Sequence, residues 1–181
     1  MILQDIINII ESVAPLSYQE SWDNSGLQVG DRNAEVHAAL LTIDVTESVV
    51  DEAINKRCDL IISHHPLLFH GLKHLTGETP QERCVEKAIR HNIAIYSSHT
   101  AMDAYIHGVS GKIADKLGIN HYQILCPTTE QNIGLGVIGT LNNPMNSDDF
   151  IRFVQDVFDC SLRYIEPPAK LITTVAICGG A

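Results

Sequence analysis

Two apolar runs in this chain end on histidines. DLIISHHPLLF, residues 59 to 69, leads into the adjacent His64 and His65 ahead of Pro66, and NIAIYSSHTAMD, residues 92 to 103, ends on His99 with Asp103 in the turn beyond it. Neutral imidazole is the commonest metal ligand, and mixed imidazole and carboxylate donors suit Zn, Mn, Fe or Ni. Consecutive side chains on an ideal strand point to opposite faces, so His64 and His65 could hardly share one ion there. Where the strand tightens into a loop, each can face a different ion. That geometry predicts a dinuclear centre, with the two ions roughly 3.5–4 Å apart.

Each residue also has a plainer role open to it. One of His64 and His65 could cap its strand while the other packs under the LLF that follows, and Asp103 could be the N-cap of the next helix. His99 could be a ligand, a residue that orients one, or an acid/base group. Asp44, at the end of the run AALLTID, either orients a ligand histidine or closes an Asx-type turn. Trp22, Asp23 and Asn24 lie in a turn, where Asp and Asn usually serve the backbone. His70 and His74 have i, i+4 spacing, but with only Glu78 as a carboxylate nearby they fit a solvated loop better than a second metal site.

The elements that must position these residues follow a rhythm. Residues 2–14 place Ile2, Ile6, Ile9, Ile10 and Val13 on one helical face, with Pro15 as the stop. AALLTID reads as a buried strand, VTESVVDEAINKRC as a helix with Thr46 as N-cap, and LIISHH as an apolar strand. TPQERCVEKAIRHN is a helix with Pro80 near its start, IAIYSSH a strand, and GVSGKIADKLG a helix closed by Gly118. Alternation at this spacing predicts parallel strands joined by crossovers, an α/β fold of layered αβα type with a mostly parallel sheet. Ligands in such sheets sit beyond the carboxyl ends of the strands, which is where Asp44, His64, His65, His99 and Asp103 fall.

Beyond residue 120 the pattern changes. QNIGLGVIGTL reads as a glycine-rich strand, SDDFIRFVQDVF as a helix with Ser147 as N-cap, and LRYI and LITTVAIC as short strands. The expected division is an α/β metal-binding domain over 1–125 and the start of a second α/β unit over 126–181. Because the chain stops at CGGA, a strand entering a glycine-rich turn, that second unit is expected to be incomplete.

Composition narrows the function classes. With 181 residues and 45% hydrophobic content the chain can bury a genuine core. A formal charge of −10 argues against duplex DNA as the primary partner, because phosphate binders concentrate Lys and Arg. Five cysteines without a CxxC pair argue against a disulfide framework and for a reducing, cytoplasmic setting. Neither a signal peptide nor a membrane span is read, and neither a dinucleotide fingerprint nor a Walker motif is present.

Taken together, WDNSGLQVG, DVT at 44 to 46, DLIISHHPLLF, NIAIYSSHTAMDA, GVSGKIADKLG and VAICGG resemble the NIF-three-like (NGG-interacting factor three) or YbgI-like family, whose members are often labelled GTP cyclohydrolase 1 type 2 homologues. The resemblance covers nearly the whole chain, and SHHPLLF followed by SSHTAMD is its most specific part. It implies a dinuclear metal centre and a homo-oligomer, a hexamer built as a trimer of dimers. Carried over by motif, His64 and Asp103 bind one ion and His65 the other. The family's remaining ligands, a His and a bridging Glu, come from a GHxxSE-like segment that is absent here, so metal binding by these residues alone is expected to be weak. The implied activity is metal-dependent hydrolysis of a nucleotide or pterin-like substrate, with His99 as the catalytic proton shuttle. The alternative is a non-enzymatic metal-handling or regulatory interaction protein.

Overall fold

The computed structural model describes residues 1–128, 132–165 and 171–179. It separates into two compact units, Met1–Met102 and Asp103–Ala181. The boundary expected at 125/126 lies inside a strand of the second unit.

The first unit is built on a four-stranded sheet. Its strands are β1 (Gly26–Val29), β2 (Ala39–Thr42), β3 (Leu60–Ser63) and β4 (Ala94–Ser97), in the order β1-β4-β3-β2. β2, β3 and β4 run parallel in unbroken register, so Thr42, Ser63 and Ser97 align at one edge. β1 pairs antiparallel with β4, placing Gly26 opposite Ser97. The loop before β1 therefore reaches the same edge as the ends of the parallel strands.

Helices cover both faces, as the layered expectation requires. On one side, α2 (Glu47–Asn55) and α3 (Pro80–Arg90) pack Val50, Ala53, Cys84, Val85 and Ala88 on Ile61 and Ile95. On the other, α1 (Leu3–Val13) packs Leu3 and Ile7 on Leu60, Ala94 and Tyr96. With both faces buried, the central strands are near-continuous apolar runs. Thr46 caps α2 by accepting from the Val49 amide. At α3, Thr79 accepts from the Glu82 amide and Pro80 takes the first turn, where a missing N–H costs nothing. The Glu82 carboxylate turns back to accept from Thr76 N, Glu78 N and Thr79 Oγ1, and these bonds hold it down to about 2 against some opposing desolvation.

Two details differ from the sequence pattern. The buried face of α1 is Leu3 and Ile7 with Ile6 and Ile10, whereas Ile2, Ile9 and Val13 are exposed. β2 is an edge strand rather than a buried one, with Leu41 76% exposed.

The second unit, described on its own, carries an antiparallel sheet of β5 (Asn120–Pro127), β6 (Gly134–Asn146) and β7 (Leu171–Ile177). Helices α5 (Val109–Lys116) and α6 (Ser147–Phe158) pack with it around Ala114, Ile119, Ile124 and Val137. The N-cap of α6 is Asn146, not Ser147, because the Asn146 side chain accepts from Asp149 N. LRYI forms no strand, and residues 180 and 181 of the CGGA end lie outside the described residues. Gly136 has φ +69°, and a Cβ there would meet the Ile177 carbonyl at 2.7 Å. The close packing of β7 on β6 thus requires glycine at this position.

Candidate metal centre

The aligned ends of β2, β3 and β4 are locked by their own hydroxyls. Ser97 Oγ and the His99 amide donate to the His64 carbonyl at 2.6 and 2.9 Å, and Ser63 Oγ donates to the His65 carbonyl at 2.8 Å. The amides of His64 and His65 donate to the carbonyls of Thr42 and Ile43. The strand-end serines Ser63 and Ser97 therefore fix the backbone from which the His64 and His65 imidazoles project.

Three of the sequence-selected residues come together on this edge. The ring centroids of His64 and His65 lie 4.9 Å apart, and His99 lies 5.5 Å from His64 and 5.6 Å from His65. Both strand-end histidines are half-buried beside one another, so neither is packed away beneath the LLF run.

Two of these rings are held by carboxylates. His65 Nδ1 lies 2.7 Å from Asp44 Oδ1, and His99 Nδ1 lies 2.7 Å from Asp23 Oδ1. An ionised carboxylate only accepts, so each Nδ1 carries a proton, and in the neutral ring the lone pair is the one on Nε2. A carboxylate behind a histidine in this way fixes tautomer and orientation and raises ligand basicity. Of the two roles open to Asp44, the structure shows the one that orients a histidine.

The two anchors differ in setting. Asp44 is largely exposed, whereas the Asp23 side chain is 0% exposed. Desolvation pushes the Asp23 carboxyl up, but hydrogen bonds from the Thr100 hydroxyl, His99, Ser25 Oγ and Asn24 N outweigh it and bring the carboxyl down to about 2. Asp23 is the anchor of His99 that the sequence pattern does not single out. Its signal was there, a carboxylate in the turn leading into a strand, but only the antiparallel pairing of β1 with β4 brings that turn to His99.

Asp103 lies on the short helix α4 (His99–Ala104), not in a turn, one helical turn after His99 and buried. It is not the cap of the next helix, because the N-cap of α5 is Gly108. His70 and His74 are exposed in an irregular loop, as expected. A cavity of about 460 Å³ between Val29, Val85, Ala88 and Ala94 is lined by none of the histidines. All five cysteines are free thiols. No described helix is long and apolar enough to cross a membrane.

By donor type, imidazoles with carboxylate-fixed tautomers fit a divalent cation of the Zn, Mn, Fe or Ni kind. By number they are a partial set. Among the described residues, no group of three or more His, Cys, Asp and Glu side chains is gathered closely enough to hold an ion.

The molecule is thus defined as an α/β protein whose parallel strands end on a row of anchored imidazoles. Comparison with known proteins carries this further. The Duf34/NIF3 (NGG1p interacting factor 3) family model matches residues 1–181, and the chain belongs to that family. A protein of Clostridium acetobutylicum named GTP cyclohydrolase 1 type 2 homolog is 36% identical over 182 residues, covering 99% of this chain and 68% of that protein. One of the same name from Bacillus subtilis is 42% identical over 125 residues, 69% of this chain but 34% of that protein. The crystal structure of Staphylococcus aureus protein SA1388 superposes with a TM-score of 0.90 at 28% identity, covering 100% of this chain and 73% of that one.

Proposed function

We propose that this chain supplies part of a dinuclear divalent-metal centre in a hydrolase of nucleotide or pterin-like rings. The observation that carries the proposal is the cluster of His64, His65 and His99, two of whose rings have Nδ1 bound to a carboxylate at 2.7 Å. His64 and His65 are the proposed imidazole ligands, and Asp103 is the carboxylate that the family resemblance assigns. Bound divalent ions would supply Lewis acidity and lower the pKa of water held at the site.

The chain's own residues supply the proton handling. The proposed role of His99 is to take a proton at Nε2 from the attacking water and return it to the leaving ring nitrogen. Asp23, enclosed and anionic, holds Nδ1–H in place and stabilises the charged ring as it forms. Asp44 orients His65 in the same manner.

The name of the relatives, GTP cyclohydrolase 1 type 2 homolog, supports the substrate class. A homo-oligomer, with the hexamer as its proposed form, is supported by the exposed Leu41 and Ile43 at edge strand β2.

The test is turnover. Protein supplied with Zn or Mn is incubated with GTP and with a reduced pterin, and ring opening is followed by absorbance, alongside His99→Ala and Asp23→Asn. Metal-dependent turnover that both substitutions lower at least a hundredfold supports the proposal. Fully metallated protein that leaves both substrates untouched, while metal alters its binding to other proteins, favours the metal-handling alternative.

A further inference from the structure

Beside the imidazole row the molecule leaves two large rings in solvent. Trp22 is 58% exposed and Phe69 is 41% exposed. Their centroids lie 5.9 Å apart with the planes tilted at 53°. His99 stands edge-on to both, 6.1 Å from Trp22 and 6.2 Å from Phe69. Singly exposed apolar side chains are ordinary. Two aromatic rings converging on one histidine, itself anchored by an enclosed carboxylate, form an exposed apolar corner at the polar end of the sheet.

The segments carrying the two rings are braced to each other. Asn24 Nδ2 donates to the Leu68 carbonyl at 2.6 Å, Leu68 N donates to Gln28 Oε1 at 3.1 Å, and Gln28 Nε2 donates to the Asn24 carbonyl at 2.7 Å. This closed circuit ties the loop before β1 to the loop after β3. The corner is therefore held open before any ligand arrives, which reduces the ordering cost of binding.

We propose that Trp22 and Phe69 form a stacking subsite for the planar heteroaromatic ring of the substrate. This rests on the reading of the neighbouring imidazoles as the reactive site, and specifies that the chain grips the ring rather than the phosphate. A separation of 5.9 Å is too short to admit a ring between the two, which needs about 7 Å, twice the van der Waals contact distance. The ligand ring instead lies on an outer face of the corner, beside His99. Aromatic stacking is sequence-tolerant because every base has a π-face, so purines and pteridines both qualify, while a bare sugar phosphate does not.

The chain has one tryptophan, so its intrinsic emission reports on Trp22 alone. Metal-free protein in EDTA is titrated with guanosine, with pterin and with ribose 5-phosphate. The expected result is saturable quenching by guanosine and pterin and none by ribose 5-phosphate. Phe69→Ala and Phe69→Leu should weaken binding by roughly tenfold, within the range for loss of one stacking partner, and Phe69→Tyr should restore it. Quenching equal with ribose 5-phosphate, or unchanged in both Phe69 variants, overturns the proposal. So does emission that shifts with protein concentration alone and ignores every small molecule, which would mean that a second copy covers the corner. Because the titration is metal-free, saturable quenching by guanosine and pterin in protein that shows no metal-dependent turnover removes the hydrolase reading and leaves the stacking subsite standing.

Discussion

Asp23→Asn separates a structural anchor from an incidental contact. The carboxylate accepts from His99 Nδ1 at 2.7 Å and Asn24 N at 2.6 Å on Oδ1, and from Thr100 Oγ1, Thr100 N at 3.2 Å and Ser25 Oγ at 2.8 Å on Oδ2. An amide of the same shape keeps an oxygen for one set and turns an NH₂ group toward the donors of the other. If the oxygen keeps the Oδ2 side, the bond from Asn24 N is lost and the His99 contact is remade as a neutral one, so at the low end of about 1.5 kcal/mol for each bond to a charged acceptor the cost is at most about 3 kcal/mol. With a urea m-value of roughly 2 kcal/mol/M, the midpoint falls by up to about 1.5 M. Urea titration followed by Trp22 emission reads this directly, because the probe adjoins the site. The same 2.7 Å contact at the exposed Asp44 is the control: Asp44→Asn should cost under about 1 kcal/mol. A second readout is the His99 ring, whose proton should leave Nδ1 in the Asp23 variant, visible by imidazole nitrogen NMR. A midpoint within about 0.3 M of the parent, with the tautomer unchanged, would refute the assignment of Asp23 as the residue that fixes His99.

Other expectations follow from the same geometry. The Asp23 carboxyl is lowered from its ordinary 3.8 to about 2, so its stabilisation is complete above pH 3.8 and is lost as pH falls toward 2. Glu82, lowered from 4.5 to about 2, acts in the same direction. Thermal midpoints should therefore drop on acidification below about pH 4.5, and Asp23→Asn should flatten that dependence. Thr79→Ala removes the side-chain acceptor at the start of α3 and should cost about 1 kcal/mol by urea titration. Ile61→Ala empties a fully buried site in the central strand and should cost about 2–5 kcal/mol in the same assay.

The site was legible as far as local pattern carries topology. Apolar runs ending in Ser-His, separated by helical segments, place His64, His65 and His99 at one sheet edge, because parallel strands bring their carboxyl ends together. Asp23 was not legible as an anchor, because its partner is set by the pairing of Gly26 with Ser97, far apart in the chain. The exposure of β2 is not legible in AALLTID because five of its seven residues are apolar, and composition does not tell an edge strand from a central one. In α1, Leu3, Ile6, Ile7, Ile9, Ile10 and Val13 offer two overlapping apolar faces, and the sheet selects the one through Leu3 and Ile7. β5 went unseen because most of it is exposed, leaving no alternation to find.

The central claim is that His64 and His65 bind divalent cations through this edge. The direct measurement is imidazole NMR of the nine histidines during titration with Co²⁺. The resonances of His64 and His65 should shift or broaden first, with His99 following by proximity and the loop residues His70 and His74 unaffected at the same metal concentration. Uniform broadening of all nine, or an initial response at His70 and His74, would contradict it.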